Sequence, residues 1–97
     1  MRKIQVAISG TGARLFRNNC GVAFYPSGGR VRYGLAPGSA DLIGWTRDGR
    51  FLAIEVKLPG EKPDAAQARF LDAVKMAGGV AGVARSVEDA LALVGGV

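Results

Sequence analysis

Asp41, Glu55 and Lys57 are the residues of this 97-residue chain whose types and spacing suit hydrolytic chemistry. Residues 51–58 read as a strand, and strand side chains alternate between two faces. Leu52, Ile54, Val56 and Leu58 then share an apolar face that belongs in the core. Phe51, Ala53, Glu55 and Lys57 share the other, so Glu55 and Lys57 are neighbours at the C-terminal end of the strand. Asp41 starts the preceding strand, and hairpin register decides where it faces. A two-residue Asp48-Gly49 turn pairs Thr46 with Phe51 and points Asp41 away from Glu55. A three-residue loop, Arg47-Asp48-Gly49, with Gly49 left-handed, pairs Thr46 with Arg50 and sets Asp41 opposite Glu55. The second register brings two carboxylates within about 5 Å at the backbone, a spacing suited to a shared hard cation. Oxygen ligands favour Mg²⁺ or Mn²⁺. A lysine beside them stabilises charge developing on a phosphate or helps position an attacking water. The plain alternative is a solvated Glu55–Lys57 ion pair with Asp41 as a turn residue.

Composition narrows the chemistry further. There is no histidine, which excludes histidine triads, histidine proton shuttles and histidine-ligated zinc. A single cysteine, Cys20, excludes an internal disulfide and a thiolate cage. With no histidine to activate it, Cys20 is expected as a small buried hydrophobe rather than a nucleophile. No apolar run reaches the roughly 18 residues of a membrane span. Arg2 and Lys3 are not followed by the apolar stretch of a secretory signal, so the expected location is the cytoplasm. The length allows one domain, spanning residues 1–97.

The charge is uneven. Lys and Arg total 13 against 8 Asp and Glu, a net charge of +5. Residues 1–58 hold nine of the basic side chains and three of the acidic ones. Nine of the 13 cations are arginines, whose planar fork matches phosphate oxygens. A basic half of this kind suits a polyanionic partner, with ordinary solubility as the bland reading.

The elements that must position these residues follow from pattern. Residues 3–11 suit a short amphipathic helix through Ile4, Val6, Ala7 and Ile8. Residues 14–25 look extended, bent or bulged at Asn18, Asn19 and Gly21. Pro26-Ser27-Gly28-Gly29 is a turn, and residues 30–33 return as a second strand. Residues 34–40 are a breaker-rich loop. Residues 41–46 and 51–58 form the hairpin described above. Residues 64–77 are the strongest helix, with Phe70, Leu71, Val74 and Ala77 at helical spacing and Gly78-Gly79 as the stop. Residues 80–85 make a final strand, and Ser86 caps a helix over 87–94 with Asp89 three positions on. A strand–helix–strand crossover at 51–85 makes those two strands parallel. The expected fold is a single-domain α/β structure, a mixed β-sheet flanked by helices.

Asp41 followed by Glu55-Val56-Lys57 resembles the catalytic signature of the PD-(D/E)xK nuclease superfamily. The segments RLFRNNCGVAF, GLAPGSADLIGW, FLAIEVK, AAQARFLDAVKMAGG and AGVARSVEDAL resemble, in that order, the virus-type replication-repair nuclease (VRR-NUC) family, and its stand-alone phage and prophage members in particular. The resemblance covers residues 13–94. It implies a restriction-endonuclease-like core, with Asp41, Glu55 and the Val56 carbonyl as ligands of Mg²⁺ or Mn²⁺ and Lys57 as the catalytic lysine. Gln67 matches a family glutamine that lies against the active site; it also stands three residues after Asp64, as a capping residue would. Many family members carry an acid in the first helix. Residues 3–12 hold none, and Gln5 is the only amide there.

The remaining candidates concern nucleic acid. Arg14, Arg17, Arg30 and Arg32 are candidate phosphate contacts. Asn18 and Asn19 suit phosphate or metal proximity, or a bulge; Ser39 suits phosphate or turn chemistry. Tyr33 and Trp45 suit base stacking or, preferably, core packing, and no aromatic-rich reading surface stands out. The expected function is a metal-dependent endonuclease acting on DNA by shape, with Holliday junctions or other branched DNA preferred. Two symmetric cuts imply a homodimer, with an interface from the segment around Ile4 and Ile8 and from the first hairpin. The rival readings are a non-catalytic basic DNA-binding module that keeps the fold and a small structural protein with a basic face.

Overall fold

The computed structural model describes residues 1–95. The apolar spacing near the N-terminus forms α1 (Arg2–Ser9), which buries Ile4 and Ile8 on one side. Then follow β1 (Arg14–Arg17), β2 (Gly21–Phe24), β3 (Arg30–Tyr33), β4 (Leu42–Trp45) and β5 (Phe51–Val56). The chain closes with α2 (Ala65–Met76), β6 (Val80–Ala84) and α3 (Val87–Val94). The α2 start follows its sequence signal: Asp64 accepts from the Gln67 N–H and Gln67 Oε1 accepts from the Asp64 N–H, a reciprocal capping box. At α3, Ser86 caps through the Asp89 N–H.

Four strands form the main sheet in the order β1-β4-β5-β6. β4 is antiparallel to both β1 and β5, and β5 is parallel to β6, as a helical crossover through α2 requires. The mixed α/β sheet with flanking helices is thus the fold expected from pattern. One face carries Leu15, Leu42, Leu52 and Ile54 against Ile4 and Ile8 of α1 and Ala90 and Val94 of α3. The other carries Ala53 and Ala81 against Leu71 of α2, with Phe70 and Val74 alongside. Both faces of β5 are therefore covered, and residues 52–55 are all buried, including the Glu55 face that pattern left open. Truncating Ile54 to Ala here would cost about 2–5 kcal/mol.

The β4–β5 hairpin adopts the three-residue loop. Thr46 N–H donates to the Arg50 carbonyl (2.8 Å), and Gly49 sits at φ +88°, where a Cβ would strain the turn. Thr46 is fully buried, its hydroxyl bonded to Asp48 Oδ1 and accepting from the Arg50 N–H (3.0 Å). Arg50 Nε closes the loop on Asp48 Oδ2 at 3.0 Å. The Thr46 hydrogen bond leads the causes that hold the Asp48 carboxyl below its ordinary range. Leu42 pairs with Ile54 and Ile43 with Ala53, and one further step along this register sets Asp41 opposite Glu55.

Four expectations are corrected. The extended segment 14–25 is two strands in two sheets. Asn18 N–H bonds the Asp41 carbonyl (2.8 Å) at the end of β1, and the chain leaves the main sheet there. β2 and β3 then pair only with each other as a separate two-stranded sheet. Trp45 and Tyr33 are each 49% exposed rather than core residues. Tyr33 lies on that separate sheet. Trp45 lies where α2, which packs on β5 and β6, does not reach, beside Phe16 at a ring-centroid distance of 5.5 Å. Cys20 is exposed, because it sits in the connection between the two sheets. Ile4 and Ile8 are enclosed by the chain's own core, so they offer no apolar surface to a second copy.

Candidate active site

The site forms where β5 ends. Glu55 is only 1% exposed, on the α2 face of the central strand. Its Oε2 is buried without a hydrogen-bond partner. A buried, unpaired carboxylate oxygen is costly unless a proton or a cation meets it. Burial pushes the Glu55 carboxyl up to about 8, and the adjoining Asp41 carboxylate adds to this through its hydrogen bond and its charge. Lys57 pulls in the opposite direction, and Asp64 at the head of α2 pushes further upward.

Asp41 is half-buried and oriented by the backbone: its Oδ2 accepts the Val56 N–H at 2.9 Å. That bond ties Asp41 to the residue following Glu55 and leaves Oδ1 for another partner. Lys57, also half-buried, is held through its own N–H, which donates to the Ala84 carbonyl of β6 (3.1 Å). Asp41, Glu55, Val56 and Lys57 are thus gathered at one end of the sheet by two backbone bonds and one register.

The donor set fits a hard divalent ion. Two facing carboxylates and an orphaned oxygen supply the charge such an ion needs. Among the described residues no group of three or more Asp, Glu, His or Cys comes together, so an ion held here would need backbone carbonyl, such as that of Val56, and solvent or phosphate oxygens as further ligands. Mg²⁺ is commonly held that way, through one or two carboxylates and several waters. α1 adds no acid, and the Gln5 side chain donates to the Leu15 carbonyl of β1 at 3.3 Å.

The loop before Asp41 is clamped. Asn18 Nδ2 donates to Ser39 Oγ (2.7 Å) and to the Ala40 carbonyl (2.9 Å). Ser39 Oγ also meets Cys20 Sγ at 3.2 Å. Gly38, at φ +82°, lies so close to Ala66 of α2 that a Cβ would come within 2.8 Å. Asn18 and Ser39 are therefore bonded to each other and to the backbone that leads into Asp41. Asn19 is exposed beside them.

The other candidates are dispersed. Gln67 Oε1 is occupied in the capping box, which leaves its amide nitrogen free of that bond. Arg14 Nη1 donates to the Ala13 carbonyl (2.9 Å) and the Ser9 carbonyl (3.3 Å), against the end of α1. Arg17 is exposed at the end of β1, and Arg30 and Arg32 are exposed on β3. Sequence reasoning assigned no site role to Asp64, whose charge acts on Glu55; its D-x-x-Q spacing signalled only the cap. It also missed the aromatic surface of Phe16, Trp45 and Phe51, which lines an open groove of about 480 Å³ with Arg17 and Ile43. The alternation of β4 and β5 marked that face, and only the length of α2 told where its cover ends.

A profile of the VRR-NUC domain matches residues 29–88, more than half of the chain. The match takes in Asp41, Glu55, Val56, Lys57 and Gln67 and begins after β2. No curated protein matches the chain. Among the described residues no helix is long and apolar enough to cross a membrane.

Proposed function

Because this chain belongs to the VRR-NUC family of nuclease domains, we propose that it is a Mg²⁺- or Mn²⁺-dependent endodeoxyribonuclease selective for branched DNA, Holliday junctions above all. The observation that carries the metal-dependent reading is the buried pair of Asp41 and Glu55 with its orphaned Glu55 oxygen.

Asp41, Glu55 and the Val56 carbonyl would hold the ion. Bound there, the ion would lower the pKa of water and offset charge on the scissile phosphate. The chain's own residues then have separate tasks. Asp41 is aimed by the Val56 N–H, so its free oxygen stays in register with Glu55. Glu55 gives up its proton when a cation replaces it. Lys57 presents an ammonium to the non-bridging phosphate oxygens as charge builds on them. Asn18 and Ser39 hold the backbone at Asp41. Gln67, on the first turn of α2, keeps Asp64 in place through the capping box, and its amide nitrogen, outside that bond, is the part left for a role at the site. Arg17, Arg30 and Arg32 supply the phosphate contacts that hold DNA against this end of the sheet.

A four-way junction has two equivalent strands to cut, so the proposal includes a twofold dimer. With Ile4 and Ile8 enclosed, the apolar surface that supports such pairing is Phe16, Trp45 and Phe51. As in the stand-alone phage-type proteins that the sequence resembles, the place of action is the bacterial cytoplasm.

The test is cleavage of labelled linear, flap and four-way DNA in Mg²⁺ and in Mn²⁺, wild type beside Glu55→Gln. Paired nicks in the junction that vanish with Glu55→Gln support the reading. Uncut DNA in both metals overturns it. The absence of a third acid among the described residues favours one second reading, a DNA-binding module without catalysis. That reading predicts that Mn²⁺ titration by calorimetry gives the same null trace for wild type and Glu55→Gln.

A further inference from the structure

Residues 22–37 are exposed without interruption. They include nearly all of the β2–β3 sheet, whose only half-buried residue is Gly21. The ribbon is rooted beside Asp41. Asn18 and Cys20 at one end bond Ser39 at the other, and the Leu35 N–H reaches Asn18 Oδ1 (3.4 Å). The tip is a tight turn: Gly28 N–H donates to the Tyr25 carbonyl (3.0 Å) and Tyr25 N–H to the Gly29 carbonyl (2.7 Å). Pro26 at the second position stiffens it.

The two faces of the ribbon differ. Phe24 pairs with Arg30 and Val22 with Arg32, so these four side chains share one face. Tyr25–Gly29 is a hydrogen-bonded pair, which makes both of these the closer, non-hydrogen-bonded kind. Phe24 is 73% exposed, the most exposed aromatic side chain among the described residues. No acidic residue occurs before Asp41, so every charge on the ribbon is positive. Val22 and Phe24 are thus exposed side by side with Arg30 and Arg32 along their edge, and a contiguous apolar patch rimmed by charge marks a surface for a partner.

The charge selects which partner. A second copy docked ribbon to ribbon would bring four arginines together with no acid on either ribbon to pair them, and such like-charge juxtaposition is costly. DNA presents phosphates on both sides of a groove and an apolar stack between them, and a two-stranded ribbon fits the major groove. Apolar side chains also wedge into base steps that are bent or unstacked.

We propose that the β2–β3 ribbon is a DNA-engaging arm, in which Phe24 stacks on a base exposed at a branched or bent step while Arg30 and Arg32 hold the flanking phosphates. The inference rests on the DNA-nuclease reading and adds where that nuclease grips its substrate. From Asn18 to Phe24 an extended chain spans at most about 20 Å, so the wedge acts within about six base pairs of the metal site.

The experiment uses the full chain carrying Glu55→Gln, so that DNA stays intact, and a four-way junction with 2-aminopurine at its branch point. Binding should raise the fluorescence several-fold, as an unstacked base does. Adding Phe24→Ala should abolish that rise with the melting temperature unchanged, since Phe24 is 73% exposed. Adding Arg30→Gln and Arg32→Gln should weaken binding at least tenfold and lower the slope of log affinity against log salt by about two, one for each phosphate contact. Binding with an unaltered fluorescence rise in Phe24→Ala overturns the wedge. An unaltered salt slope in the arginine variants overturns the clamp. A halved mass by light scattering in Phe24→Ala overturns the assignment in favour of self-association. Absence of any DNA binding by the parent protein removes the nuclease reading itself, and the arm with it.

Discussion

Asp41 and Glu55 face one another from adjacent strands, and Asp41 is anchored on the N–H of Val56, the residue next to its partner. One carboxylate is thus oriented by hydrogen bonding while the other keeps a buried oxygen with none. Burial and the neighbouring Asp41 carboxylate both disfavour charge on Glu55, and Lys57 offsets them only in part.

That asymmetry makes stability depend on pH in a defined direction. The Glu55 carboxyl rises from an ordinary 4.5 to about 8 in the folded chain. Between those values the folded state keeps a proton that the unfolded state releases, so stability is greatest at the low end and is lost as pH rises toward 8. The slope should approach at most about 1.4 kcal/mol per pH unit. Thermal melts in EDTA from pH 5 to 8 should show this fall in wild type and not in Glu55→Gln. Mn²⁺ should release the Glu55 proton on binding, so its affinity should drop about tenfold per pH unit below 8.

Lys57→Ala and Asp41→Asn should each lower cleavage by about 10²-fold or more, as removal of a group that meets developing charge does. Junction affinity measured by anisotropy without divalent ions should stay within a few-fold of wild type. Cleavage at the wild-type rate by either variant removes that residue from the mechanism.

The hairpin register rests on Thr46. Thr46→Val keeps the shape but removes the hydroxyl that meets both Asp48 and the Arg50 N–H. The expected loss is about 1–3 kcal/mol in urea unfolding. Gly49→Ala, at φ +88°, should cost about 1–2 kcal/mol through backbone strain. Both should lower cleavage, because slippage by one residue turns Asp41 to the opposite face.

Asn18→Ala separates a clamp from a phosphate contact. It takes one of two partners from Ser39 Oγ and the side-chain donor from the Ala40 carbonyl, and should cost about 1–3 kcal/mol and lower cleavage through Asp41. The salt slope of DNA binding should not change. A slope reduced by about one would identify Asn18 as a phosphate ligand instead.

The order of elements, the capping of α2 at Asp64 and the parallel crossover from β5 to β6 were legible in the sequence, because each depends on neighbours within a few residues. Strand alternation and the resemblance to a nuclease family together singled out Asp41, Glu55 and Lys57, and the fold brings these three to one end of the sheet. Local pattern left two registers open for the hairpin, and the bonds that buried Thr46 makes with Asp48 and Arg50 chose between them. Burial was the least readable property. Ile4 and Ile8 read as a dimer surface, whereas in the fold α3 and the sheet enclose them. Trp45 and Tyr33 had the composition of core residues, yet α2 stops short of one and the other stands on a ribbon that leaves the sheet at Asn18. Such outcomes depend on which elements meet across long sequence separations, and one-dimensional periodicity carries no record of that. The charge state of Glu55 belongs to the same class: its position is set by a strand, but its raised proton affinity comes from the helix, strand and carboxylate that enclose it.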